Sequence, residues 1–185
     1  MKKTIVFDFD GTLVKGDSLT MVFLEACSTK CIYKKLVYFF YKILSKFNII
    51  TVAQEKELAI ELLFQNDKRL FEQACKEVAN SLKLTDVINR LNEAIKLGYK
   101  VIILSASSEY LLEEFFHEKN VEIIATKFKV DNIGKIYGIV RHPYGKAKVD
   151  ALKEHGYTHV DECYFDSKSD KCLEGISDKC FFVKP

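Results

Sequence analysis

The chain has 185 residues, enough for one compact domain or for a core domain carrying one modest insertion. Apolar residues make up 48% and charged residues 29%, the balance of a soluble chain able to bury a core. A net charge of only +2 gives no whole-protein field to draw in nucleic acid or an anionic membrane. Nothing at the N-terminus resembles a signal peptide, because Met1-Lys2-Lys3 leads at once into the strand-sized run Thr4-Ile5-Val6-Phe7. No apolar run reaches the ~18 residues of a membrane-spanning helix, so stable membrane insertion is not expected and the cytoplasm is the expected location. The six cysteines (27, 31, 75, 163, 172 and 180) form no CxxC pair, and no zinc-finger spacing occurs. Cys27 and Cys31, four apart on a predicted helix, are read as buried or half-buried thiols, with a metal pair as the alternative.

The first predicted strand ends on Asp8. From about Ser18 to Leu84 apolar residues recur at helical spacing, as in Leu19-Val22-Phe23-Ala26 and Leu70-Phe71-Ala74-Val78. Another helix is predicted from Thr85 to about Leu97, ending at Gly98. The continuous apolar run of Lys100 to Ser105 predicts a buried strand. A helix over Glu109–Lys119 and a strand over Val121–Ala125 follow. Thr126 to Val140 reads as a hairpin turning at Asp131-Asn132-Ile133-Gly134. A helix over Gly145–His155, a strand over Glu162–Phe165, a short helix over Asp170–Gly175 and a strand over Lys179–Val183 complete the chain. Strands alternating with helices predict an α/β fold, a doubly wound, Rossmann-like parallel sheet with helices on both faces. Ligands bind such sheets beyond the C-terminal ends of the strands, so Asp8, Ser105 and Asp166 should meet in one crevice. The expected division is an α/β core of residues 1–14 and 86–185, with a small helical cap of residues 15–85 inserted after the first strand.

Four carboxylates stand at or just after strand ends: Asp8, Asp10, Asp166 and Asp170. Clustering them in a low-dielectric crevice is unfavourable unless a cation neutralises them, and hard oxygen ligands suit Mg2+. Such a site facing Ser105 and a lysine outlines phosphoryl-transfer machinery. These residues carry a resemblance to the haloacid dehalogenase superfamily that covers essentially the whole chain. Its DxDGT motif is matched by Asp8-Phe9-Asp10-Gly11-Thr12. Its strand-ending Ser or Thr resembles Ser105, its lysine opening a helix resembles Lys148, and its DxxxD pair resembles Asp166 and Asp170.

The resemblance implies a magnesium-dependent phosphatase acting on a small phosphorylated metabolite, with Asp8 as nucleophile and Asp10 as general acid and base. It implies Mg2+ held by Asp8, the Asp10 backbone carbonyl, Asp166 and Asp170, and phosphate bound by Ser105, Lys148 and the tight turn at Gly11. Backbone N–H groups near Phe9, Asp10 and Ala106 would complete the cradle. The second aspartate argues against the family's dehalogenases; a phosphomutase and a catalytically silent module on the same scaffold remain alternatives.

The phosphoserine-phosphatase-like branch is the best match, by the position of its helical insertion and by Gly-x-x-Lys at Gly145–Lys148. Phe165 departs from the small residue often found before the third aspartate, and Lys146 competes with Lys148 for the third motif. Asp17 stands where phosphoserine phosphatases carry a Glu that contacts the substrate's amino group; it is either a substrate ligand or a helix N-cap. The lysine- and aromatic-rich stretch from Cys31 to Phe47 reads as a cap helix with a buried apolar face and a solvated lysine edge. A helix lying on a membrane surface is its alternative. His142, near the third motif, is either a substrate contact or a loop residue.

Overall fold

The computed structural model describes residues 2–27 and 32–184. Six strands form one sheet: β1 (Thr4–Phe7), β2 (Lys100–Ser108), β3 (Glu122–Val130), β4 (Ile136–Arg141), β5 (Val160–Phe165) and β6 (Ser177–Phe182). Their order is β4-β3-β2-β1-β5-β6, with β1 parallel to both β2 and β5. β4 alone runs antiparallel, pairing with β3 as the predicted hairpin. The chain builds outward from β1 to β2 and β3, then crosses to β5 and β6. The order of the sheet therefore reverses at β1, and Asp8 follows β1 directly. In an open parallel sheet this switch point is where a crevice forms.

Strand periodicity assigns side chains to two faces. Ile5, Phe7, Val101 and Ile103 enter one apolar cluster, whereas Val6, Ile102 and Leu104 enter the other. Seven α-helices are described: α1 (Ser18–Ala26), α2 (Ile32–Lys46), α3 (Val52–Phe64), α4 (Lys68–Ala79), α5 (Val87–Lys96), α6 (Glu109–Phe115) and α7 (Ala147–Glu154). The first face receives α1, α3, α4, α5 and α6. The second receives Ala151 and Leu152 of α7 and Leu173 of a 3-10 helix (Lys168–Ile176). The doubly wound α/β fold expected from the sequence is present.

The chain leaves for α1–α4 and returns from them at adjacent points: Lys15 N donates to Lys83 O at 2.7 Å, and Thr85 N to Leu13 O at 3.0 Å. The inserted helices are locally well specified. Asp17 caps α1 through Thr20 N, Thr51 and Gln54 form a capping box on α3, and Asp67 caps α4. Their apolar faces share a cluster with the sheet: Phe71 of α4 meets Phe23 and Phe64 on one side and Tyr110 and Phe128 on the other.

Helix α2 departs from expectation. Only Tyr38 and Ser45 are buried, while Ile32, Leu36, Phe40 and Ile43 face outward. It packs through a narrow edge, with Tyr38 set edge-on against Phe23, so its broad apolar side is left uncovered. Cys75 and Cys163 are buried and Cys27, Cys172 and Cys180 half-buried. Cys31 lies outside the described residues, so the Cys27–Cys31 metal pair has no geometry to judge.

Candidate active site

Local packing explains how the first loop presents its carboxylates. Phe9, Leu13 and Val14 are fully buried, and the backbone N–H groups of Leu13 and Val14 both donate to Phe9 O, at 2.9 and 3.1 Å. Phe9 lies edge-on to Phe115 and Phe116. Alternation along the chain then sends Asp8 and Asp10 away from that apolar anchor. Gly11 turns the loop at φ +71°, and a Cβ there would overlap the Asp166 carboxylate. Glycine is therefore needed both for the turn and for the close approach of Asp166.

Asp8, Asp10, Gly11, Ser105, Lys148, Asp166 and Asp170 all line one cavity of about 370 Å³ beyond the strand ends. Lys148 Nζ donates to Asp8 Oδ1 and to Asp170 Oδ2, both at 2.6 Å, and all three side chains are nearly solvent-free. Lys146 is exposed at the start of α7 and is not part of this cluster. Thr12 Oγ1 approaches Asp8 Oδ2 at 3.4 Å. Ser105 accepts from Ser107 N at 3.0 Å, which leaves its own O–H as a donor.

Burial raises the Asp8 carboxyl to about 6 against the opposing pull of Lys148. Loss of solvent, with Asp17 nearby, raises Asp10 to about 7, although Ser18 N donates to its Oδ1 at 2.8 Å. Burial also raises the half-exposed Asp166. Phe165, the departure from the family pattern, packs in the second apolar cluster against Phe182.

No group of three or more His, Cys, Asp or Glu side chains forms a metal cage among the described residues. Magnesium does not require one, since it binds through one or two carboxylates and keeps several waters. The donor set fits that demand: Asp8 and Asp166 border the cavity, and Gly11 leaves room for the Asp166 carboxylate against the loop.

The inserted helices supply the cavity's far wall. Asp17 lines it while also capping α1, so the two readings of this residue coincide in space. Its Oδ2 accepts from Thr20 Oγ1 at 2.8 Å and lies 3.7 Å from Lys42 Nζ. Sequence reasoning missed Lys56 and, as a cavity residue, Lys42. Lys56 is buried, donates to Ala106 O at 2.5 Å, and is lowered by burial to about 8. The available signal was a cation on the same helical face as Ala59, Ile60 and Leu63. His142 donates to Thr126 Oγ1 at 2.8 Å, because that hydroxyl spends its hydrogen on Ala106 O. It stacks on Tyr144, which lines the cavity.

A family model described as haloacid dehalogenase-like hydrolase matches residues 5–173. Among solved structures, a protein of unknown function from Bordetella pertussis Tohama I is similar at 18% identity and TM-score 0.80, covering 95% of this chain and 88% of that one. A phosphoserine phosphohydrolase-like protein from Francisella tularensis is similar at 22% identity and TM-score 0.68, covering 97% and 86%. A substrate-bound phosphoserine phosphatase is similar at 18% identity and TM-score 0.65, covering 100% and 88%. At these identities the likeness is one of fold. No curated protein matches the chain by sequence.

Proposed function

Because this chain belongs to the haloacid dehalogenase-like hydrolase family, we propose that it is a magnesium-dependent phosphatase that hydrolyses a small phosphomonoester through an aspartyl-phosphate on Asp8. The observation that carries this reading is the cavity itself. A buried nucleophilic carboxylate sits at the sheet's switch point, held by Lys148 at 2.6 Å, with a second carboxylate two residues on. In this reading residues 15–85 form a cap over a core of residues 1–14 and 86–185, and the cap closes the cavity around a compact ligand.

Asp8 attacks phosphorus; its oxygen–phosphorus bond forms as the ester bond to the leaving alcohol breaks. Asp10 gives its proton to the departing oxygen, then takes one from the water that attacks the phosphoryl group and frees Asp8. A carboxyl raised to about 7 is suited to both halves of that exchange. Ser105 donates its O–H to a phosphoryl oxygen, and Lys148 offsets the phosphoryl charge while Asp170 holds it in place. Asp8, the Asp10 carbonyl and Asp166, supported by Asp170, would hold Mg2+. When bound, the ion offsets the negative charge that two carboxylates and a phosphate bring together.

Lys42, Lys56, Asp17 and Glu55 give the far wall both signs of charge. That pattern favours a polar or zwitterionic substituent, as in an amino-acid or amino-alcohol phosphate, over an apolar ester. Asp17 would read an ammonium there in competition with Lys42.

The test is phosphate release from a panel of small phosphomonoesters, with Mg2+ or with EDTA. Release that needs Mg2+ and falls by at least about a thousandfold in Asp8→Asn is expected. Transfer of the phosphoryl group to a second hydroxyl without free phosphate would assign a phosphomutase instead. Folded protein that binds substrate analogues but turns over none would assign a silent binding module.

A further inference from the structure

Helix α2 presents two unlike sides. Inward, Tyr38 and Lys42 help to line the cavity. Outward, Ile32, Leu36, Phe40, Ile43 and Phe47 are 68, 66, 55, 52 and 70% exposed. At ~100° per residue these five fall within an arc of about 80°, one continuous apolar strip along the helix and its C-terminal end. Lys35 and Lys46, both exposed, flank the strip on the edge nearer the protein body.

The charge on this helix is one-sided. It carries Lys34, Lys35, Lys42 and Lys46 and no aspartate or glutamate. The whole chain has a net charge of +2, so everything outside this helix is net negative. The protein's net positive charge thus resides on this helix, beside an exposed apolar strip.

That combination discriminates between occupants. A second copy paired antiparallel about a two-fold axis would set lysine rows against lysine rows, and one paired parallel would set each lysine row against the partner's Tyr33 and Leu44 edge; in both cases the helix has no carboxylate to offset the lysines. An anionic bilayer supplies both an acyl boundary for the apolar strip and phosphate charge for the lysines. Among the described residues no helix is long and apolar enough to cross a membrane, so α2 would lie in the plane of the interface.

We propose that α2 docks on anionic lipid surfaces, with Leu36, Phe40, Ile43 and Phe47 at the acyl boundary and Lys35 and Lys46 among the headgroups. This contact needs no catalysis and stands independently of the phosphatase reading. Its consequence is positional: because the inner side of the same helix lines the cavity, docking would bring the cavity close to the bilayer surface.

The full chain is sedimented with phosphatidylcholine vesicles, with and without one third phosphatidylglycerol. Binding is expected only with the anionic lipid, weakened by high salt and reduced about tenfold or more in Lys35→Glu/Lys46→Glu and in Leu36→Glu/Phe40→Glu. These side chains are exposed, and unchanged circular dichroism would show that both variants fold. The chain has no tryptophan, so Phe40→Trp adds a single reporter whose emission should shift to the blue on the anionic vesicles. No sedimentation at low salt, equal binding by the variants, or no emission shift would overturn the proposal. A protein dimer that Leu36→Glu/Phe40→Glu dissociates would also overturn it and assign the strip to a second copy.

Discussion

His142 shows how one half-buried side chain can imprint pH dependence on the fold. Burial, aided by the charge of Lys56, lowers its pKa to about 3, well below the ~6.5 of an unfolded histidine. The unfolded chain therefore binds the extra proton first as pH falls. The resulting stability is complete above about 6.5 and is lost progressively toward pH 3. Asp8 and Asp10, raised to about 6 and about 7, act in the opposite direction over part of this window. The comparison that isolates His142 is wild type against His142→Gln in urea unfolding at several pH values. Between pH 7 and 5 the variant should lose about 2 kcal/mol less than wild type. Parallel curves would mean that His142 takes up its proton normally in the fold. The sequence could not reveal this, since the histidine's fate depends on Thr126 and Ala106, distant along the chain. Asp8, Ser105, Lys148 and Asp170 could be read as neighbours of one crevice because the apolar pattern predicts a strand end or a helix start beside each, although β2 in fact runs on past Ser105. Lys56 could not be, because helix α3 brings it to the cavity from the other side.

At the scale of elements, α4 is held by one side chain more than any other. Phe71 is fully buried and meets aromatic rings of α1, α3, α6 and β3. Truncating it removes contacts to four elements at once, so Phe71→Ala should cost about 3–5 kcal/mol, read from the urea midpoint. A loss below about 1 kcal/mol would show that the cluster collapses around the gap. Every predicted helix exists, but the strand expected over 121–125 and the first arm of the hairpin expected from Thr126 are one continuous strand, β3, and other element ends moved for tertiary reasons. β2 continues past Ser105 to Ser108 because Ser107 and Ser108 are buried there, with Ser107 Oγ 2.8 Å from Ser18 Oγ. α6 stops at Phe115, where the Phe115 and Phe116 rings turn onto Phe9. The α2 expectation failed for the opposite reason: its periodicity was read correctly, but periodicity alone cannot say whether anything covers the apolar side.

The whole molecule poses the question of whether the inserted helices and the sheet are one cooperative unit. The connections into and out of the insertion lie side by side, joined by the Lys15–Lys83 and Leu13–Thr85 hydrogen bonds, an arrangement compatible with a hinge. Packing argues the other way. A continuous apolar cluster runs from Val22 and Ile60 through Phe71 and Phe128 to Ile103 of the sheet. The insertion is also stitched to the β3–β4 hairpin by Ile136 N to Asn66 O at 2.8 Å and Lys68 N to Gly134 O at 3.0 Å. Separating the helices would expose Phe128 and Tyr110 together with the underside of α4, far more apolar surface than a hinge motion opens. Thermal unfolding should therefore be a single transition, with calorimetric and van't Hoff enthalpies in agreement. Phe71→Ala should shift that transition whole. Two resolved transitions, with only one moved by Phe71→Ala, would mean that the helices form a body of their own and that cap closure is a rigid swing about residues 15 and 83. A single transition would leave the proposed closure to smaller movements of α1 and α2, the elements that bring Leu19, Thr20, Tyr38 and Lys42, with the α1 cap Asp17, to the cavity.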